Sequence, residues 1–105
     1  MYAIITSKPG QYQAQAGDGA VVIESYEYLF YGRLKAVYQL IELQGETRIR
    51  ITEEDPPYTS NSVPTKFLEK FDTLEAARAE LKHLTGFGGL EATLRRCGTP
   101  DSGSN

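Results

Sequence analysis

One segment of this chain, residues 72–86, carries a full helix signature, while the apolar positions before it repeat at strand spacing. That division restricts the fold to a sheet with one helix laid across it. In DTLEAARAELKHLTG, Asp72 is placed to accept from the backbone N–H of Glu75, and Glu75 to reach back, as in a capping box. Phe71 and Ala76 have the spacing of a hydrophobic staple. Leu74, Ala77, Leu81 and Leu84 fall on one stripe. Glu75 faces the positive end of the helix dipole, with Lys82 and His83 at the negative end. Gly86 stands where a left-handed stop belongs.

Tyr2–Ser7 is short, β-branched and halted by Pro9-Gly10, which predicts an interior strand. Residues 20–53 admit two patterns. Tyr26, Phe30, Leu34, Val37 and Ile41 follow helical spacing, but Gly32 interrupts them and Tyr, Val and Ile dominate. Cutting instead at Gly32-Arg33 and Gln44-Gly45 gives strands at 21–31, 35–43 and 47–52. The last alternates cleanly, with Thr47, Ile49 and Ile51 on one face and Arg48, Arg50 and Thr52 on the other. We adopt this reading, a three-stranded antiparallel meander with a tight hairpin at Gln44-Gly45.

The connections are polar. Residues 11–19 predict a mobile loop ending in an Asp18-Gly19 turn, with Gly10, Gly17 and Gly19 as hinges. No Gly-Lys-Ser/Thr follows, so it is not a phosphate-binding P-loop. Residues 53–65, rich in acids, prolines and small polar side chains, predict a long surface loop. Residues 67–71 read as a short strand or extended piece. Residues 90–97, after the Gly88-Gly89 pivot, read as a final strand. The expected organisation is a single domain over 1–97 and a disordered polar tail over 98–105.

Phe71-Asp72-Thr73 followed by Glu75-Ala76-Ala77 locally resembles a stretch of the plant ethylene-response type of DNA-binding domain, in which an antiparallel meander leads into a helix packed on the sheet. The resemblance implies helix-on-sheet packing. It does not extend to DNA binding, for which that family relies on Trp and Arg in its reading strands; Trp is absent here and the net charge is −3.

The expected fold is therefore α+β: a twisted antiparallel sheet of about five strands with one well-capped helix on one face. Leu74, Ala77, Leu81 and Leu84 should meet Ile4, Val37, Ile49 and Ile51. One helix cannot cover both faces of such a sheet. An aromatic face left open calls for a partner, most simply a second copy of the chain.

Reactive side chains are scarce. The chain has one His and one Cys, whereas metal sites need clusters of such ligands, so no metal or cofactor is expected. Cys97 adjoins Arg95 and Arg96, which would favour a thiolate; the plainer reading is a small hydrophobe. His83 should face solvent. Carboxylates concentrate at Glu53-Glu54-Asp55 and on the helix surface. Glu42, between Ile41 and Leu43, simply points to the other face of a strand, so no tuned acid–base pair emerges. A lone Cys allows no internal disulfide, and no apolar run suits a signal peptide or a membrane span. A soluble cytoplasmic protein is expected, without a membrane partner. The acidic balance disfavours nucleic acid.

Two groups remain as candidate binding residues. Tyr26, Tyr28, Phe30, Tyr31 and Tyr38 cluster closely, with Tyr26, Tyr28 and Phe30 on one strand face. They suit cross-strand packing, a protein interface, or a pocket for a flat ligand. Arg33, Lys35, Arg48 and Arg50 would converge on the wet side of the meander, as an anion patch or as a solvated face neutralised by Glu46, Glu53, Glu54 and Asp55. The first expectation is a non-catalytic binding or accessory protein that self-associates through the aromatic sheet face. The alternatives are a metal-independent enzyme or binder of a small aromatic or anionic ligand using Tyr and Arg, and a polyanion or nucleic-acid binder using the Arg/Lys patch.

Overall fold

The structure, a computed structural model, describes residues 1–86 and 92–97. Its elements are β1 (Tyr2–Ser7), β2 (Tyr12–Ala16), β3 (Ala20–Phe30), β4 (Arg33–Leu43), β5 (Arg48–Glu53), β6 (Ser60–Pro64), a 3-10 turn (Thr65–Phe67), α1 (Leu74–Thr85) and β7 (Ala92–Cys97). The class is α+β with antiparallel pairing and one helix, as the sequence implies. The strands, however, form two sheets: a four-stranded sheet in the order β1-β4-β3-β7 and a three-stranded sheet in the order β2-β5-β6.

The second sheet corrects several expectations. Residues 12–16 are not loop: their Tyr-Gln-Ala-Gln-Ala alternation buries Ala14 and pairs along β5, from Tyr12 opposite Glu53 to Ala16 opposite Ile49. Residues 60–64 are likewise a strand, paired with β5 from Arg48 opposite Pro64 to Thr52 opposite Ser60. Gln44-Gly45 is no hairpin. It carries the chain from the larger sheet to the smaller, so β5 leaves the expected meander and pairs with β2 and β6. The predicted β3–β4 hairpin is present. Its loop is Tyr31-Gly32, both at positive φ (53° and 74°), between the paired Phe30 and Arg33. Two left-handed residues in a two-residue loop match the strand twist, which is why glycine suits the second position. β1 lies at a sheet edge, not inside, and Phe71 pairs with Tyr2 on its outer side.

Two cores result. Ala3, Ile5, Ile41 and Leu43 of the larger sheet meet Ala14 and Ile49 of the smaller one. On the opposite face, Leu40 packs with Ala77 and Leu81 of α1, and Tyr2, Ile4, Tyr26, Tyr38, Phe71, Leu74 and Leu94 close around them. The helix thus meets Ile4 as expected. Ile49 and Ile51 belong to the other core, because the strand carrying them crosses to the second sheet. Leu84 is exposed, and the buried stripe ends at Leu81.

α1 also caps differently. Thr73, in extended conformation, is the N-cap, and its hydroxyl accepts from the N–H of Ala76 at 3.0 Å; Asp72 lies outside the helix. Phe71 packs into the helix–sheet core, whereas Ala76 is exposed, so the staple does not form. Gly86 is right-handed (φ −77°) and donates to the carbonyl of His83, a tightened last turn in place of a left-handed stop. Residues 67–71 leave the 3-10 turn and reach the Phe71–Tyr2 bridge. The final strand begins at Ala92; the predicted start at Leu90 and the tail over 98–105 lie outside the described residues. No helix among them is long and apolar enough to cross a membrane.

Candidate functional site

A β-bulge at the centre of the fold creates its principal charged cluster. Val22 stands opposite Ile41 and Glu24 opposite Leu40, so Ile23 is the extra residue of β3. Regular alternation would put Ala20, Val22 and Glu24 on one face. With Ile23 inserted, Ala20 and Val22 pack towards the smaller sheet, and Glu24 and Tyr26 turn to the helix. There Glu24 is 1% exposed. Arg78 of α1 donates Nε to both of its oxygens, at 3.1 and 3.0 Å, and Nη2 also bonds Oε2. The Tyr26 hydroxyl donates to Oε1 at 2.8 Å. Arg96 of β7 stands 3.5 Å from Oε2. The hydrogen bonds from Arg78 hold the Glu24 carboxyl below the usual 4.5 against the upward pull of burial. Burial, reinforced by the bond to Glu24, pushes Tyr26 above 10.0. Glu24 is thus a buried, ionised and fully partnered carboxylate. It is fitted to hold arginines in place and unfitted to shuttle protons.

The structure brings Tyr26, Tyr28 and Tyr38 together on the helix side of the larger sheet. Tyr26, Tyr28 and Phe30 keep alternate positions on β3, opposite Tyr38, Ala36 and Arg33 of β4 and Arg96, Leu94 and Ala92 of β7. Tyr28 and Tyr38 meet edge-to-face with centroids 6.4 Å apart. Tyr26 and Tyr38 are partly enclosed beneath α1. Burial pushes the Tyr38 phenol above its usual range, helped by Tyr28 and Tyr12 nearby. At the hairpin tip Phe30 and Tyr31 meet at 83°, and Tyr31 is 68% exposed.

The four cations are not on one sheet. Arg33 and Lys35 stand at the hairpin end of β4. Arg48 and Arg50 are on β5 of the smaller sheet, where Arg48 bonds the Ser62 hydroxyl at 2.6 Å and the Ser62 carbonyl at 3.1 Å. Arg95 is tied to Glu27 across the β3–β7 pair. With that cation engaged elsewhere, burial dominates at Cys97 and pushes its thiol above 9.0, the reverse of activation. His83 is exposed on the helix. Among the described residues no group of three or more His, Cys, Asp and Glu is placed to hold a metal ion.

Two concave regions stand out. A cleft of about 470 Å³ opens at the edge of the sandwich, between Ser7, Val37 and Gln39 of the larger sheet and Tyr12, Ala14 and Ala16 of β2. It exists because small alanines face it where bulkier residues would close the gap. Its one acid, Glu54, accepts from the N–H of Gly10 at 2.5 Å. A groove of about 280 Å³ runs between α1 and the β3–β7 pair, floored by Tyr26, Leu81 and Leu94 and flanked by Glu75, Arg78 and Lys82. Of the groove's residues, sequence patterning singled out Tyr26 as a candidate for binding, and missed Arg78, Lys82 and Leu94 in that role. The bulge is what places Tyr26 beside Arg78, and a bulge leaves no mark in alternation. No family model matches the chain, and comparisons with curated proteins and with solved structures likewise give no match.

Proposed function

We propose that this chain is a non-catalytic binding protein that associates with a second copy of itself through the aromatic end of its larger sheet. The observation that carries this reading is the short reach of the helix. α1 packs on β1 and β4 near Ile4 and Leu40 and stops short of the β3–β4 hairpin. Beyond it, on the helix side of the sheet, Tyr28 and Phe30 remain half-buried, and Tyr31 at the hairpin tip is 68% exposed. On the opposite face β2, β5 and β6 cover Ala3, Ile5, Ile41 and Leu43, while Leu34, paired with Leu29, is 39% exposed on that face near the hairpin tip. Aromatic side chains around a shallow apolar surface are the usual centre of a protein interface.

Glu24 is ionised and held by Arg78 and Tyr26, and burial disfavours the Cys97 thiolate, so neither enters this reading as a reacting group. Light scattering over a range of concentrations tests it. Wild type should shift from monomer to dimer, and Phe30→Ala or Tyr28→Ala should remain monomeric while folded. A wild type that stays monomeric at high concentration rejects the proposal, as does an undiminished dimer in both variants.

A further inference from the structure

We propose that the groove between α1 and β7 binds a small organic anion with an apolar body, the acid group meeting Arg78 and Lys82 and the body resting on Leu81, Leu94 and the Tyr26 ring. The site borders the association surface, since Leu94 stands opposite Tyr28 in the β3–β7 pair, but the proposal does not rest on that association.

The argument begins with the guanidinium of Arg78. One edge of it, Nε with Nη2, serves Glu24. A guanidinium has five N–H donors, and Glu24 leaves the Nη1 side unbonded among the described residues. The Arg78 side chain is 44% exposed and lines the groove, so those donors are within reach of a ligand. Because Glu24 is buried and also bound by Tyr26, Arg78 is held in place before any ligand arrives. An anion therefore meets a cation whose rotamer freedom has already been lost.

Charge and surface agree with this. Arg78, Arg96 and Lys82 outnumber Glu24 and Glu75, a local positive excess on a chain of net charge −3. Lys82 makes no ion pair among the described residues, and it lines the groove one helical turn beyond Arg78. Glu75 lies a turn before Arg78 and repels an acid group from that end, which orients the ligand head towards Lys82. Between the charges the groove is floored by Ala79, Leu81, Leu94 and an aromatic ring. A bare inorganic anion leaves that floor unused, and a neutral hydrocarbon leaves the cations unused. A medium-chain or aromatic carboxylate uses both. The larger sandwich-edge cleft has no comparable group, since its lining carries no cation and its acid is bound to Gly10.

Titration of the isotopically labelled protein with octanoate, followed by methyl NMR, tests the proposal, with acetate and octanol as probes of the head and the body alone. Octanoate should shift Leu81 and Leu94 and bind at least about tenfold more tightly than either control, because a charge-assisted bond and apolar burial both contribute. Lys82→Gln, an exposed helix substitution, should weaken octanoate about tenfold while leaving the spectrum otherwise intact. Leu94→Ala should reduce octanoate affinity towards that of acetate. Equal binding of octanol and octanoate overturns the proposal. So do shifts confined to the Ser7–Gln39 cleft, and so does the absence of any shift at millimolar octanoate.

Discussion

The carboxylate of Glu24 is gripped by Arg78, 54 residues further along the chain, and the pair ties the middle of β3 to the middle of α1. The carboxylate is wholly buried and the guanidinium half-exposed, so the cost of desolvation falls mainly on the acid. Its hydrogen bonds offset that cost, which places a pH-dependent fastener between helix and sheet.

Glu24→Gln should lower the melting temperature at neutral pH by several degrees, since Arg78 and Arg96 then lose their shared counter-charge. The pH response has a definite sign. The folded Glu24 carboxyl ionises below its ordinary 4.5, so its stabilisation is present above that value and is lost as pH falls through the folded pKa. Wild type should therefore lose more stability than the variant between neutrality and about pH 3. Parallel melting curves for the two proteins across that range would show that the pair does not couple folding to protonation.

The bulge makes a less obvious demand. Val22 already faces Ile41, and Glu24 already faces Leu40 on the next rung. Deleting Ile23 should therefore leave both neighbours on their present faces and convert the bulge into regular pairing. The variant is expected to fold, with a lower melting temperature from the lost apolar side chain, and to keep the acid sensitivity assigned to Glu24. Deleting Ser25 instead should also absorb the bulge and leave Tyr26 opposite Tyr38, but it should move Glu24 opposite Gln39, on the face away from Arg78, and so abolish that acid sensitivity. Circular dichroism melts of the two deletions at neutral and acid pH distinguish them. Equal damage from both would refute the register described here.

Gly17 looks in the sequence like a hinge; in the fold it is a point of close approach. Its N–H donates to the carbonyl of Arg48 at 3.0 Å, and a Cβ there would stand 2.4 Å from that same oxygen. The opposing atom is backbone, so relief requires β2 and β5 to separate. Gly17→Ala should destabilise by roughly 1–3 kcal/mol, as overpacking does. Gly45→Ala, which meets nothing within 4 Å, should cost well under that. Chemical denaturation of both variants reads the difference directly.

What the sequence disclosed followed from local physics. The helix was legible because dipole charges and an apolar stripe fall within one short segment, although its cap is Thr73 and not Asp72, and the β3–β4 hairpin because Gly32 interrupts two runs rich in Tyr, Leu and Val. The second sheet was not, because its edge strands are chemically plain. Tyr12–Ala16 and Ser60–Pro64 become strands through pairing with β5, and Gln, Ala, Ser and Asn have little strand preference of their own. The groove was hidden for a related reason. Glu24, Arg78 and Arg96 lie far apart in the chain, and only the Ile23 bulge together with the β3–β7 register makes them neighbours.

Two phenols beneath the helix should ionise late. Tyr26 is raised above 10.0 by burial and by the hydrogen bond to Glu24, and Tyr38 by burial with Tyr28 and Tyr12 nearby. A phenol raised in the folded state stabilises the fold fully below the unfolded pKa, and that contribution is lost as pH rises through the folded pKa. Ultraviolet titration of tyrosinate should therefore show Tyr26 and Tyr38 ionising late, with unfolding following their ionisation. Tyr26→Phe should remove one late phenol. It should also let the Glu24 carboxyl drift back towards 4.5, because a donor to it is gone. Linked movement of the alkaline and acid limbs in one variant is the signature of the Tyr26–Glu24 bond; an acid limb left where it was would show that Arg78 alone sets the carboxyl.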